Sequence, residues 1–154
     1  MTDLLCQQRP KLGWICSYTP TEIPWAAGYL PIRLSGGEKV PRSQDPRIYH
    51  LLCPFIRAVF HRYSAVQGRA PEAVTFVGCC DGMVRLHDVW KEYLPGRVDF
   101  LDLPKNMTPE AVEYFAQILR GWAAALGPVA PRAVTPDGSC DIANQDTGGP
   151  FPPR

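Results

Sequence analysis

Cys79-Cys80-Asp81-Gly82-Met83 places two adjacent thiols directly behind the apolar run Ala73-Val74-Thr75-Phe76-Val77. The run reads as a buried parallel strand, and the thiols as the turn leading into a helix from Met83 to Tyr93. Open α/β sheets bind ligands at the carboxyl ends of their strands. A helix N-terminus lowers a thiol's pKa through its free N–H groups and positive dipole end. A thiolate in that position can serve as a nucleophile, a redox centre or a soft metal ligand. The chain has six cysteines to weigh: Cys6, Cys16, Cys53, Cys79, Cys80 and Cys140. Their even number permits disulfides, but the spacings match no small secreted scaffold, and no CxxC pair occurs to support a zinc ribbon or a thioredoxin motif. Cys6 and Cys140 read as small buried hydrophobes, and Cys79 as packing beside Cys80.

The elements that position these thiols follow from apolar spacing and punctuation. Lys11 to Cys16 reads as a first strand. Thr19-Pro20-Thr21-Glu22 then presents a hydroxyl cap, a proline at the first helical position and an acid in the first turn, opening a helix that stops at Gly28. Leu30 to Leu34 is a second strand, with Pro31 near its start, where a lost donor is tolerable. Ser35-Gly36-Gly37 ends it, and a polar loop runs to about Pro46. Between Tyr49 and Val66, apolar residues at Leu52, Phe55, Ile56, Val59, Phe60 and Tyr63 keep helical spacing. Pro54 fits the first turn, which sets Cys53 at or beside the N-cap, and Gly68 closes the helix. Ala73 to Gly78 and Val98 to Pro104 are the third and fourth strands. Thr108-Pro109-Glu110-Ala111 repeats the cap, proline and acid pattern and opens a helix ending at Gly127. The order β-α-β-α-β-α-β-α predicts an α/β fold: a Rossmann-like parallel sheet of about four strands with helices on both faces. Residues 1–10 read as an N-terminal extension, 11–127 as the Rossmann-like domain and 128–154 as a disordered tail rich in Pro and Gly.

On this map Cys16 ends the first strand, Cys53 opens the second helix, and Cys80 follows the third strand at the mouth of the third helix. All three fall on the carboxyl edge of the sheet. Thiolates in threes and fours hold iron–sulfur clusters, and two helix dipoles aimed at such a cluster favour its negative charge. The other residue patterns are plainer. A formal net charge of +1 gives no sign of a nucleic-acid footprint or a polybasic membrane surface. No apolar run reaches the roughly 20 residues of a membrane span, the N-terminus has no signal-peptide pattern, and cytosol is the default compartment. No GxGxxG occurs, and Ser35-Gly36-Gly37 is too weak for a phosphate loop. His50, His61 and His87 lack metal-ligand spacing and read as solvated or packed. Glu22 is explained as a first-turn acid, the four tryptophans as core, and Asp81 with Arg85 as an i,i+4 pair or as groups beside a bound ligand.

Gly13-Trp14-Ile15-Cys16-Ser17-Tyr18-Thr19-Pro20-Thr21-Glu22, followed by Ala26-Ala27-Gly28-Tyr29-Leu30-Pro31-Ile32-Arg33-Leu34, resembles the opening of the 2-hydroxyacyl-CoA dehydratase D-component family, which also includes benzoyl-CoA reductase subunits. Cys53-Pro54-Phe55-Ile56-Arg57 resembles that family's Cys-Pro-aromatic segment, and the stretch from Cys80 to Trp90 resembles its Cys-Asp-x-Met-x-Arg-Leu helix. Phe100 to Pro104 and Thr108 to Phe115 resemble the strand and helix that follow. The resemblance covers about residues 11 to 126. It implies a subunit with a 4Fe-4S cluster acting as electron relay or Lewis acid in the dehydration of a 2-hydroxyacyl-CoA or the reduction of an aromatic acyl-CoA. Cys53 and Cys80 are then cluster ligands, and Cys16, in the family's Cys-Ser-Tyr motif, a third. It also implies a homologous second subunit, an acyl-CoA substrate and an ATP-dependent activator protein that supplies the electron. Family subunits are more than twice this length and take a further cluster cysteine from a C-terminal half. The expectation is therefore a subunit or truncated subunit whose cluster is shared with a partner chain or absent. The alternative is a non-catalytic remnant, or a partner-binding Rossmann-like domain whose cysteines only pack.

Overall fold

A computed structural model describes residues 9–37, 46–48, 51–65 and 71–128. The elements run β1 (Lys11–Trp14), α1 (Glu22–Ala26), β2 (Leu30–Arg33), α2 (Pro54–Ala65), β3 (Ala73–Val77), α3 (Asp81–Tyr93), β4 (Arg97–Leu101) and α4 (Pro109–Leu126). The four strands form one all-parallel sheet in the order β2-β1-β3-β4. The expected Rossmann-like α/β architecture is the one observed. Of the sequence expectations, those for Cys6, Tyr49, His50, Val66, Gly68, Cys140 and the tail from 129 lie outside the described residues.

Handedness assigns each helix to a face. The chain steps from β1 to β2 in one direction, and from β2 past β1 to β3 and β4 in the other. Right-handed crossovers then put α1 on one face of the sheet, and α2 and α3 on the opposite one. The two cores agree. Val74 and Phe76 of β3 join Ile56, Val59 and Phe60 of α2 and Met83, Leu86 and Trp90 of α3. Ala73 and Val77 point the other way, to a core with Leu12, Leu101 and Trp122 and Leu126 of α4, flanked by Ile23 and Ala27. With helices on both faces, all five residues of β3 are buried, which is why that strand shows no in–out alternation. Trp90 fits edge-on to Phe76 with ring centroids 5.6 Å apart.

Several boundaries differ from the sequence expectation, each for a local reason. α1 starts at Glu22 with Thr21 at its N-cap, not at Thr19. Thr19 is buried, and its N–H closes a turn on the Cys16 carbonyl at 3.0 Å. Pro24 is accommodated because it lies in the first turn, where backbone N–H groups have no helical partner. α3 begins two residues before Met83, with Cys80 as an extended N-cap residue at φ −157°. The strands are shorter than expected, and β4 ends at Leu101, opposite the last residue of β3. α4 has the expected form. Thr108 Oγ1 accepts from the Ala111 N–H at 3.3 Å, Pro109 follows the cap, and Gly127 at φ +61° ends the helix.

Two further features hold this frame. Asp99 on β4 accepts from Arg97 Nε at 2.9 Å and from Trp122 Nε1 at 3.2 Å, while Arg97 also donates to the Ala125 carbonyl at 2.9 Å. This network fastens α4 to the sheet. The loop after β2 lies tight on α2: a Cβ on Gly36 would stand 2.3 Å from Ala58 Cβ and 2.9 Å from the Val59 nitrogen. β2 itself is the outer strand, bonded inward through Leu30 N–H to the Pro10 carbonyl at 2.8 Å and Leu34 N–H to the Trp14 carbonyl at 2.7 Å.

Candidate functional site at the carboxyl edge

β1 has β2 on one side and β3 on the other, and the crossovers leave in opposite directions. The carboxyl ends of β1 and β3 therefore form a topological switch point, where open sheets present a crevice for ligands. The residues just beyond these ends are Ile15-Cys16-Ser17 and Gly78-Cys79-Cys80. Cys16 Sγ and Cys79 Sγ approach to 3.2 Å, each thiol half-buried. Cys79 is drawn into this position by a tight turn, its N–H bonded to the Val77 carbonyl at 2.7 Å, while the Gly78 N–H continues the ladder to Leu101 at 2.9 Å. Burial first, then the Cys16 thiol at hydrogen-bonding distance and its charge, then Cys80, push the Cys79 thiol up to about 12. Cys79 is accordingly a protonated thiol at neutral pH.

Cys80 and Cys53 differ from this pair in being exposed. Cys80 is the N-cap of α3, and its carbonyl accepts the Met83 and Val84 N–H groups at 3.1 and 3.3 Å. Its side chain makes no capping bond to the helix. Cys53 directly precedes Pro54, the first residue of α2, and its carbonyl accepts the Arg57 N–H at 3.2 Å. The first turns of the two helices touch. A Cβ on Gly82, in the first turn of α3, would stand 3.3 Å from Ile56 Cγ1 in the first turn of α2 and 3.8 Å from Cys80 Sγ. The bare backbone of Gly82 thus lets the two helix starts close together beside the Cys80 thiol.

Of the three thiols singled out in the sequence, two are exposed at helix starts and one lies against Cys79, whose thiol Cys80 also adjoins. Cys53 and Cys80 sit at neighbouring helix N-termini, whereas Cys16 is set against Cys79. Among the described residues, no three His, Cys, Asp or Glu side chains gather closely enough to hold a metal ion. The Cys16–Cys79 contact was not anticipated, because it depends on β1 and β3 being neighbours. The signal available was positional: each cysteine stands two residues past the end of its strand.

Surrounding groups have structural explanations. Asp81 and Arg85 are an exposed i,i+4 pair at 3.7 Å, the kind that contributes a few tenths of a kcal/mol. The His87 ring packs between Phe76 and Phe100, with centroids at 5.7 and 4.8 Å, and its Nδ1 meets Asp88 Oδ1 at 3.0 Å. Glu22 is exposed. On the same edge, Tyr18, Leu51, Phe55 and Met107 are exposed apolar side chains, Met107 most of all at 89%. Among the described residues, no helix is long and apolar enough to cross a membrane.

The family model described as 2-hydroxyglutaryl-CoA dehydratase, D-component, matches residues 16–138. The match starts at Cys16 and takes in Cys53, Cys79, Cys80 and every element from α1 to α4. No curated protein matches the chain. The span of the family match, together with a parallel sheet that carries its thiols on the carboxyl edge, makes this chain a member of the 2-hydroxyglutaryl-CoA dehydratase D-component family.

Proposed function

We propose that the chain is a component of a 2-hydroxyacyl-CoA dehydratase-like enzyme and that Cys53 and Cys80 are its ligands to a 4Fe-4S cluster. The observation that carries this reading is that two exposed thiols each stand at the start of a helix, and that the first turns of those helices, α2 and α3, are neighbours. Exposure at helix starts is the setting of a ligand thiol and not that of a packing cysteine. The donor set fits the cluster in part: thiolates hold such clusters in threes and fours, and this pair supplies two. With Cys16 set against Cys79, the remaining ligands come from a second subunit or from further chain.

A cluster bound there supplies one-electron transfer or a Lewis-acidic iron to an acyl-CoA. The chain's own residues perform the supporting tasks. The free N–H groups at the starts of α2 and α3 favour negative charge beside Cys53 and Cys80. Cys79 is engaged by the Cys16 thiol at 3.2 Å, apart from the two exposed thiols of the ligand pair. Tyr18, Leu51, Phe55 and Met107 give the edge an apolar surface for the partner subunit. The substrate is a 2-hydroxyacyl-CoA thioester, and an ATP-dependent activator protein delivers the electron.

Anaerobic reconstitution of the full chain with ferrous iron and sulfide tests this reading by iron and acid-labile sulfide analysis. We expect bound iron that is lost in Cys53→Ser and in Cys80→Ser and retained in Cys79→Ser. A chain that takes up no iron, or whose iron content is indifferent to Cys53→Ser and Cys80→Ser, overturns the ligand assignment.

A further inference from the structure

The thiol pair between β1 and β3 is left unused by the proposed cluster. We propose that Cys16 and Cys79 are a reversible dithiol–disulfide couple, a covalent redox site at the switch point of the sheet. Their Sγ atoms stand 3.2 Å apart. Closing the bond shortens that separation by about 1.1 Å, to the roughly 2.05 Å of a disulfide. Both cysteines belong to short segments just past strand ends, which can yield by that amount without disturbing the ladder between β1 and β3. Both are also half-buried and not sealed in the core, so a small oxidant reaches them.

The oxidant is a low-molecular-weight disulfide. One protein thiol, as its thiolate, attacks a sulfur of the reagent, forming a mixed disulfide and releasing one reagent thiol. The second protein thiol gives up its proton and attacks the protein sulfur of that mixed disulfide, releasing the other reagent thiol. Two electrons pass from the pair to the reagent, and one S–S bond is exchanged for another. The sequence of events balances in the same way whichever cysteine starts. Because Cys79 is bonded to Cys80 through the backbone, the bridge fixes the turn from which Cys80 leaves β3. Oxidation at the switch point is thereby felt at the start of α3.

The test needs no iron and is independent of the cluster reading. The full chain, reduced and desalted under inert gas, is treated with glutathione disulfide, its remaining thiols are alkylated, and tryptic peptides are mass-analysed without reduction. We expect peptide 12–33 joined to peptide 70–85, with fragment ions placing the bridge on Cys79 and not Cys80, and with full release by dithiothreitol. Cys53→Ser and Cys80→Ser retain the bridge, while Cys16→Ser and Cys79→Ser lose it. Fragment ions from the wild-type chain decide the point even where a variant fails to fold. A bridge to Cys80, or a chain that stops at glutathione mixed disulfides on Cys16 or Cys79, overturns the proposal.

Discussion

A single methyl group at Gly36 and one at Gly121 should move stability in opposite directions. At Gly36 an added Cβ would lie 2.3 Å from Ala58 Cβ and 2.8 Å from the Ala58 carbonyl carbon, whereas real Cβ atoms essentially never come within 3.0 Å. Two of the three nearest atoms are helix backbone, so relief requires the loop after β2 to lift from α2. Overpacking of this kind costs about 1–3 kcal/mol, against roughly 0.4–1 kcal/mol recovered from the less flexible unfolded chain. The net for Gly36→Ala is a destabilisation on the order of 1–2 kcal/mol. Gly121 lies inside α4, exposed, with nothing within 4 Å of its would-be Cβ. There Gly121→Ala stabilises by about 1 kcal/mol through helix propensity. Urea unfolding measures both. With a slope of about 2 kcal/mol/M, the midpoint falls by roughly 0.5–1 M for Gly36→Ala and rises by about 0.5 M for Gly121→Ala. A Gly36→Ala midpoint at or above wild type would refute the close approach of the loop to α2.

Asp99→Ala strips the buried Trp122 indole N–H of its acceptor and separates Arg97 from its carboxylate. A loss of about 1–3 kcal/mol is expected, seen as a melting temperature lower by roughly 5 °C. Asp99→Asn, which keeps an acceptor for the indole, should fall by less. Tyr114 donates to Asp102 Oδ2 at 3.0 Å, and the carboxylate holds its phenol above the ordinary range. Since the folded pKa is the higher one, this contact is intact below the unfolded value of about 10 and is lost as pH rises through the folded value. Tyrosinate absorbance, read as the difference between wild type and Tyr114→Phe, should show that late transition move to lower pH in Asp102→Asn; no movement would remove Asp102 as its cause.

The same four-residue pattern was informative at one place and misleading at another. Thr108-Pro109-Glu110-Ala111 opens α4 as read, because an apolar face of five turns follows and the Thr108 side chain is free to cap. Thr19-Pro20-Thr21-Glu22 carries the same signal, yet Thr19 is buried in a turn on Cys16 and α1 has only five residues. Local capping chemistry is decided by what lies downstream and by tertiary burial, neither of which four residues contain. Alternation of strands and helices made the parallel sheet legible but not its order. For that reason the placement of Cys53 and Cys80 at helix starts could be read in advance, whereas the meeting of Cys16 with Cys79 could not. That meeting needs β1 beside β3, a consequence of the chain reversing direction after β2.

Proline in the outer strand also governs how this protein can meet another chain. Leu30 and Leu34 donate inward to β1, so the alternate residues of β2, Pro31 and Arg33, face their backbone nitrogens outward. Pro31 has no N–H to offer, and Arg33 is an exposed cation. An edge with one donor missing and a charge beside the other is a poor template for strand addition, the route by which open sheets aggregate. The β2 border is therefore ill suited to receive an added strand, and a chain that meets it finds side chains in place of a full row of backbone donors.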